Sequence, residues 1–359
     1  MHLKRSLAER HIPRGEHICC IALSLFVSPL VAQTIEYTRA DVAENVYAFI
    51  PSEIGVGNAV AIIGDTDVLV VDSTATPSGA RAVIAEIRKL TPKPVRYLVN
   101  THWHDDHIWG NQAFRAAFPN VVIIAHENTR QDMIDKAIPS LAQSISGIRK
   151  KLEARDEQLK NGKSDDGRPL SEERRTFLNK RQVLFKHLLN EIESVNPTLP
   201  TITFQRRLVL YQGSQQIHLL SLGKGHTRGD IVIRIPASKV LIAGDLITYP
   251  IPAGAFVFER IETMKKLARI DQEVIVPGHG PVMRNNDCVL LITSLLESVV
   301  SRVRQALDQE LSLEETEKGI DVEGFRARLG SQDLVPTRAF ERFFLRPAVE
   351  QAYKELKQR

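Results

Sequence analysis

Short apolar runs bounded by turn residues predict strands in two parts of the chain. In the N-terminal part, the predicted strands are residues 46–50, 59–63, 68–71, 95–99 and 121–125. In the C-terminal part, they are residues 208–211, 216–222, 231–235, 240–243 and 273–276. Apolar positions three or four residues apart predict helices at residues 77–90, 113–118 and 259–270. The pattern therefore predicts a chain of mixed α and β structure.

Residues 127–197 carry a different pattern. Two heptad-like apolar stripes flank a Gly- and Asp-rich break at residues 162–169, and Ser171 is typical of a helix N-cap. The first stripe is Leu141, Ile145, Ile148, Leu152 and Leu159, and the second is Phe177, Leu184, Leu188, Ile192 and Val195. We interpret residues 127–197 as an inserted helical hairpin, either a packing lid or a gate for substrate. Residues 286–359 are predicted to form a helical C-terminal extension.

The first 32 residues are typical of a secretory signal peptide. A basic stretch precedes an apolar run at residues 18–27, and small residues end at Ala32, after which we expect cleavage. The run is too short for a transmembrane helix, which needs about 20 apolar residues. We therefore expect a periplasmic or secreted protein, not held by a membrane after processing, with a catalytic domain at residues 33–285. The alternative interpretation of the run is a buried helix of the fold.

Charge and cysteine content limit the classes of partner. Removal of the leader takes away four basic and two acidic residues, which lowers the formal net charge from +4 to +2. This balance gives no electrostatic basis for binding nucleic acid or a membrane surface, so the expected partner is a small-molecule substrate. The mature chain keeps only Cys288 and so forms no intrachain disulfide.

Five of the eight histidines after the leader fall in three loops, each after an apolar strand-like run. Asp245 follows a fourth such run. The candidate ligands are His102, His104, Asp106, His107, His226, Asp245 and His279. A single histidine or aspartate of this kind is more typical of a structural or turn residue. Seven of them at strand ends predict a metal site, because imidazole nitrogen and carboxylate oxygen are the ligands of zinc at hydrolytic sites.

The spacing of these residues favours two metal ions. On a non-helical loop, His102 and His104 can face one ion, while Asp106 and His107 point toward a second, and Asp245 can bridge the two. Ions held about 3.5–4 Å apart polarise a carbonyl and generate hydroxide near neutral pH. We expect two Zn²⁺ per chain, with iron or manganese as the alternatives.

The motifs resemble those of the metallo-β-lactamase superfamily in order and spacing. They are His102-x-His104-x-Asp106-His107, His226 in Gly-His-Thr, Asp245 in Ala-Gly-Asp, and His279 in Pro-Gly-His-Gly. The resemblance covers about residues 42–285 and implies an αββα sandwich, with metals at one edge of the two sheets. It implies a first metal on His102, His104 and His226. It also implies a second metal on Asp106, His107 and His279, with Asp245 bridging and Asp106 as the catalytic residue that orients the hydroxide.

The same motifs depart from the known lactamase classes. Class B1 β-lactamases carry Cys where this chain has Asp245, Arg where it has His107, and a substrate-binding Lys where it has Thr248. Class B3 enzymes share His107 but lack the bridging Asp. The full set is similar to that of glyoxalase II, lactonases and other exported hydrolases, although the glutathione-binding region of glyoxalase II is not found.

The expected function is an exported dinuclear zinc hydrolase, in which a metal-bridging hydroxide attacks an ester, thioester, lactone or amide carbonyl. Hydrolysis of β-lactams is the alternative. An iron-dependent persulfide dioxygenase and a catalytically silent binding protein are less favoured, because such proteins leave ligands unused and this chain retains all seven.

Several residues outside the ligand set also carry expectations. Asp72 is expected to hydrogen-bond into the site, and Thr227 to brace the loop of His226. Loops 55–57 and 249–256 are either substrate contacts or plain connections. The residues expected to be structural are Trp103, His126, His187 and His218.

Overall fold

The computed structural model describes residues 35–52, 56–164, 167–332 and 334–358. The predicted signal peptide and Gly55 lie outside these residues. Two β-sheets stack face to face, because both present an apolar face: Val46, Ile62 and Val71 from one sheet pack with Leu219, Ile233 and Ile242 from the other. This layer forms the central core.

The first sheet has seven strands in chain order. They are β1 (Tyr37–Ala43), β2 (Val46–Pro51), β3 (Ala59–Ile63), β4 (Val68–Val71), β5 (Val95–Val99), β6 (Val122–His126) and β7 (Ile202–Phe204). Strands β1 to β4 are antiparallel, and β4 to β7 are parallel. Helices α1 (Pro77–Leu90), α2 (Asp105–Ile108) and α3 (Asn111–Ala117) connect the parallel strands, and α1 and α3 cover the outer face.

The inserted helices follow β6. Helix α4 (Glu127–Asp132) continues through a π-helical turn (Met133–Ala137) into α5 (Ile138–Asn161), and α6 (Glu172–Glu193) returns antiparallel to α5. Ser171 caps α6 as predicted, since its side chain accepts a hydrogen bond from the Arg174 amide. The predicted hairpin is therefore confirmed, and its first arm is one continuous helical stretch.

The second stripe of the hairpin is correct at Leu188, Ile192 and Val195, which pack in one cluster with α5, and wrong at its first position. Phe177 is exposed, and the adjacent Leu178 is buried instead. The side chain of Leu184 lies outside the described residues. Phe177 tolerates exposure because the guanidinium groups of its neighbours Arg174 and Arg181 lie over its ring.

The second sheet has five strands and carries the remaining helices. In space its strands run β12 (Val274–His279), β11 (Val240–Thr248), β10 (Val232–Ile235), β9 (Gln215–Leu220) and β8 (Arg207–Gln212). A 3₁₀ turn, Pro236–Ser238, links β10 to β11. Only β11 and β12 pair in parallel.

Helices cover the outer face of this sheet, and those of the C-terminal extension pack with them. Together they form the fourth layer of the sandwich. The helices are α7 (Val257–Ala268), α8 (Asp287–Asp308), α9 (Leu313–Gly319), α10 (Glu323–Leu329), α11 (Thr337–Phe340) and α12 (Arg346–Gln358), with a π-helical turn (Glu341–Leu345) before α12. The order helix, sheet, sheet, helix confirms the expected αββα sandwich. No helix among the described residues is both long and apolar enough to cross a bilayer.

Strand β11 extends five residues beyond its predicted end at 243, because Gly244 and Thr248 continue the pairing with β12. Strands β1 and β7 were not predicted at all. Both are edge strands of the first sheet and carry few fully buried residues, so their apolar signal is weak.

Candidate metal centre

Four chain segments bring polar side chains to one edge of the sandwich. The loop after β5 and the helix α2 supply residues from the first sheet, and the loop after β9 supplies His226 from the second. Asp245 lies within β11, and His279 ends β12. The side chain of Asn58, at the start of β3, donates to the carbonyls of Pro277 and Gly280 at 2.9 Å each and so ties the two sheets together beside the site.

Three imidazoles converge at one side of this edge. His226 Nε2 lies 2.7 Å from His104 Nδ1, and His102 Nε2 lies 3.1 Å from the same nitrogen. We call His102, His104 and His226 the first group. Their side chains are almost fully buried, so the three nitrogens share a space with little water.

A carboxylate and two imidazoles converge beside the first group. His279 Nε2 lies 3.3 Å from His107 Nε2 and 3.1 Å from Asp106 Oδ2. We call Asp106, His107 and His279 the second group. Asp106 and His279 keep a partly exposed edge, with side-chain exposures of 18% and 17%, so this group faces the open side of the site.

Asp245 stands between the two groups. Its Oδ2 lies 3.3 Å from His226 Nε2 and 3.4 Å from His279 Nε2, and its Oδ1 lies 3.3 Å from His107 Nε2. The approach of this carboxylate depends on Gly278, because a Cβ at residue 278 would overlap Asp245 Oδ1. A single carboxylate therefore reaches both groups.

A buried carboxylate braces the site from behind. Asp72 Oδ2 lies 2.9 Å from His107 Nδ1 and accepts a 2.8 Å hydrogen bond from the Thr101 hydroxyl, while Oδ1 accepts from the Thr101 amide at 2.8 Å. The Thr101 hydroxyl is also 3.0 Å from His102 Nδ1. Asp72 thus fixes one imidazole of each group, directly for His107 and through Thr101 for His102.

A second buried carboxylate braces the His226 loop. Asp230 accepts hydrogen bonds from the amides of His226 and Thr227 at 2.7 and 2.8 Å, and from the Thr227 hydroxyl at 2.7 Å. Burial raises the pKa of Asp230 to about 7 despite these bonds. The loop conformation that presents His226 therefore depends on Thr227 and Asp230.

The electrostatics of the two groups differ. Burial lowers the pKa of His102 and His226 well below the usual value and that of His104 to about 4, so these imidazoles are neutral near pH 7. Burial also disfavours the charged form of His279, but the carboxylates of Asp245 and Asp106 outweigh it and raise its pKa to about 10. The imidazole of His279 is thus protonated near pH 7 in the metal-free chain and pairs with the carboxylates of Asp106 and Asp245.

The inserted helices hold the loop of His226. Asp132, fully buried at the end of α4, receives the Arg228 guanidinium, with Nε 3.0 Å from each carboxylate oxygen. Asn128 and Thr129 donate from the same helix to the carbonyls of Arg228 and Gly229 at 3.1 and 2.8 Å. We call the Asp132–Arg228 pair the insertion clasp.

Comparison with known proteins identifies the family. A family model described as the metallo-β-lactamase superfamily matches residues 53–279, more than half of the chain and all seven candidate ligands. The chain belongs to this superfamily. Its members are metal-dependent hydrolases, and this metallo-β-lactamase superfamily protein is such an enzyme, as the sequence predicted.

Individual relatives are distant. The linear primary-alkylsulfatase of Pseudomonas sp. (strain ATCC 19151) is 22% identical over 254 residues, 67% of this chain and 43% of that protein. The chain therefore spans less than half the length of this curated relative. A metallo-β-lactamase from Pontibacter korlensis superposes with a TM-score of 0.52 at 16% identity, covering 73% of this chain and 99% of the other. FIM-1 from Pseudomonas aeruginosa, in its mono-zinc form, gives 0.49 at 15% identity, with 74% and 98% covered.

The arrangement fits metal ions. Facing imidazole nitrogens at 2.7 to 3.3 Å present lone pairs to each other, and a cation between them satisfies more of these than hydrogen bonds do. The ligand atoms of the first group and Asp245, and those of the second group, lie within 4.8 Å of one another in each set. Members of this superfamily bind metal at such clusters.

The structure brings all seven predicted ligands together. It places Asp72 against His107 and Thr227 beside His226, where each was expected. His126 caps α4 through Nδ1 and contacts the Gln205 carbonyl through Nε2, a structural role. His107 lies on the one-turn helix α2 with Asp106, a helical turn that was not predicted.

Sequence reasoning missed Asp230 and the insertion clasp. Asp230 carried a usable signal, since it lies four residues after His226 and directly after Thr227-Arg228-Gly229, a spacing typical of a carboxylate that accepts loop amides. The clasp carried none, since Asp132 and Arg228 are 96 residues apart in the chain.

Proposed function

We propose that this protein is an exported hydrolase that holds two zinc ions and cleaves a carbonyl substrate, such as an ester, thioester, lactone or amide. The carrying observation is the position of Asp245, whose two oxygens reach ligand atoms of both groups within 3.4 Å. A carboxylate placed in this way suits a bridge between two ions. Export rests on the leader at residues 1–32.

The residues divide into two ligand sets around this bridge. The first group would hold one zinc and the second group the other, with Asp245 shared. When bound, the ions supply Lewis-acid polarisation of the carbonyl and hydroxide near neutral pH. Zinc is the favoured metal because five imidazoles and two carboxylates match its ligand preference at hydrolytic sites.

The chain's own groups orient the reactants and move the proton. His107 and His279 hold the pKa of Asp106 below its usual value against the effect of burial, so Asp106 is ionised near pH 7. Its partly exposed carboxylate can therefore accept a proton from attacking water and return it to the leaving group.

Hydrolysis of β-lactams remains the second candidate, and the structure gives it little support. Class B1 enzymes use a Lys at the position of Thr248 to bind the substrate carboxylate. Here the Thr248 hydroxyl donates to the Ile251 carbonyl at 2.9 Å, and residues 240–256 contain no Lys or Arg. The nearby Arg260 is fully buried and donates to the carbonyls of Asp245, Leu246 and Ala253 rather than toward the opening.

Metal analysis combined with a substrate panel tests the proposal. The mature protein would be assayed for zinc, iron and manganese, and for turnover of a chromogenic cephalosporin, a thioester, a lactone and, because of the curated relative, a linear alkyl sulfate. We expect two zincs per chain and turnover of the thioester or lactone, lost on chelation and restored by zinc. Turnover of the alkyl sulfate alone would overturn the carbonyl assignment, turnover of the cephalosporin alone would favour the second candidate, β-lactam hydrolysis, and one iron without hydrolysis would favour the persulfide dioxygenase.

A further inference from the structure

A cavity of about 500 Å³ lies between the end of β12 and the C-terminal helices. Its volume is within the range of pockets that bind small molecules. The apolar part of its wall consists of Tyr249, Pro281, Met283, Leu290, Leu291 and Leu329. None of these residues belongs to the metal ligands, so the cavity extends beyond the metal centre.

The inner end of the cavity adjoins the metal ligand His279. Thr248 pairs with His279 in the sheet, and the next amide along β11, that of Tyr249, donates to the His279 carbonyl at 3.1 Å. Pro281 follows His279 by two residues. Two wall residues are therefore direct neighbours of a ligand of the second group, which faces the open side of the site.

The wall then leads away from the metal centre along the chain. From Pro281 it passes Met283, which pairs with Ile275, and reaches Leu290 and Leu291 in the first turns of α8. Leu329, at the end of α10, completes the wall from the C-terminal extension. The lining residues thus come from the segment that follows His279, from α8 and from the end of α10.

The wall exposes apolar side chain to solvent. Leu290 is 55% exposed on α8, whereas the adjacent Val289 and Leu291 are buried. The charged residues of the cavity, Asp287 and Arg328, are exposed side chains at its surface. The free energy falls when an apolar chain covers an exposed leucine in the apolar part of such a cavity.

We propose that this cavity binds the unbranched apolar chain of an amphiphilic substrate, whose scissile ester or thioester lies at the metal centre. This rests on the proposed function for the reaction and adds the substrate class. The C-terminal extension then determines specificity, because Leu329 supplies a wall that the sandwich alone lacks.

Two measurements on the wild-type protein test the proposal. The first is kcat/KM for p-nitrophenyl acetate, butyrate, hexanoate and octanoate. We expect it to rise by up to about fourfold for each methylene that enters the cavity, mainly through KM. The second is fluorescence of a dansyl-labelled fatty acid on addition of protein, with and without a chelator. Binding that persists in the metal-free protein reports the cavity independently of hydrolysis.

One variant and one matched control locate the effect. Leu290→Asp places a charge in the wall, and we expect it to lower the octanoate-to-acetate ratio of kcat/KM at least tenfold and to weaken probe binding. Val183→Asp changes an exposed apolar residue of similar exposure, 60%, on α6, and we expect no change in either quantity.

The outcomes separate this inference from the proposed function. Ester hydrolysis with no dependence on chain length, or a dependence that Leu290→Asp leaves intact, would overturn the apolar-chain site while the hydrolase stands. Probe binding that depends on Leu290, without turnover of any ester or thioester, would support the cavity and count against the carbonyl substrate.

Discussion

The first and second groups use different chemistry to hold metal at the same edge of the sandwich. The first group offers three buried imidazoles that are neutral near pH 7, and the insertion clasp and Asp230 hold its loop. The second group mixes a carboxylate with two imidazoles, keeps an open edge, and has Asp72 as its brace. The comparison teaches that a buried, neutral set suits retention of metal, whereas an exposed, charged set suits contact with substrate and proton transfer.

Removal of the shared ligand is expected to have the largest effect on turnover and metal content. In Asp245→Ala both groups lose their common carboxylate, and the more exposed second group is expected to lose its metal first. Turnover should fall by roughly three orders of magnitude, because hydrolysis by paired ions needs both. Elemental analysis should give one zinc per chain, and circular dichroism should show an intact fold.

The control for this change is Asp271→Ala, which alters an aspartate of 71% side-chain exposure whose ion-pair partner is Lys239 and not a metal ligand. It is expected to retain both zincs and full turnover. If Asp245→Ala kept both its activity and two-zinc stoichiometry, the bridging assignment would be wrong, and the distinction between the two groups would lose its basis.

Removal of the Asp72 charge, which lies behind His107, is expected to have an intermediate effect on zinc affinity. Asp72→Asn keeps the shape but loses the charge that faces His107 Nδ1, and partners of metal-bound histidines typically contribute about 10- to 100-fold in affinity or activity. The affinity for the second zinc should fall more than that for the first. The reason is that Asp72 contacts His107 directly and reaches His102 only through Thr101.

Calorimetric zinc titration of the metal-free protein separates the two affinities. Asp41→Asn, which changes an exposed aspartate of β1, is the control and should match the wild type. An equal fall in the affinity for both zincs in Asp72→Asn would show that Asp72 supports the two groups alike. It would then no longer distinguish the second group from the first.

The sequence predicted those parts of the site whose residues lie close together in the chain or directly follow a strand. His102, His104, Asp106 and His107 lie within six residues, so their spacing alone places them on one loop, and strand-end positions located His226, Asp245 and His279. Apolar periodicity predicted the individual strands and helices for the same reason, whereas the layered αββα arrangement was implied by the resemblance to the superfamily. A sequence pattern over a few residues therefore predicts the strand, helix or loop that those residues form.

Contacts between distant segments were beyond such reasoning. The clasp joins Asp132 to a loop 96 residues away, and the cavity wall joins Tyr249 to Leu329. Neither pair has a periodicity or motif, because each forms only when the insertion or the extension docks on the sandwich. The prediction for the start of α6 was wrong for a similar reason, because Phe177 and Leu178 are both apolar and only the folded chain shows that Leu178 is the buried one.

The insertion clasp gives the smallest expected effect and the finest test of the contrast between the groups. Asp132→Asn keeps one acceptor oxygen, replaces the other with an amide donor, and removes the charge that holds Arg228, two residues after His226. The affinity for the first zinc should fall by less than roughly 10-fold, the lower end of the effect of residues that contact a ligand directly. The affinity for the second zinc should not change. Zinc titration of Asp132→Asn beside the charge-conserving Arg228→Lys checks this. Weakening of the second zinc alone would mean that the insertion acts on the open side, as a substrate gate, rather than on the buried group.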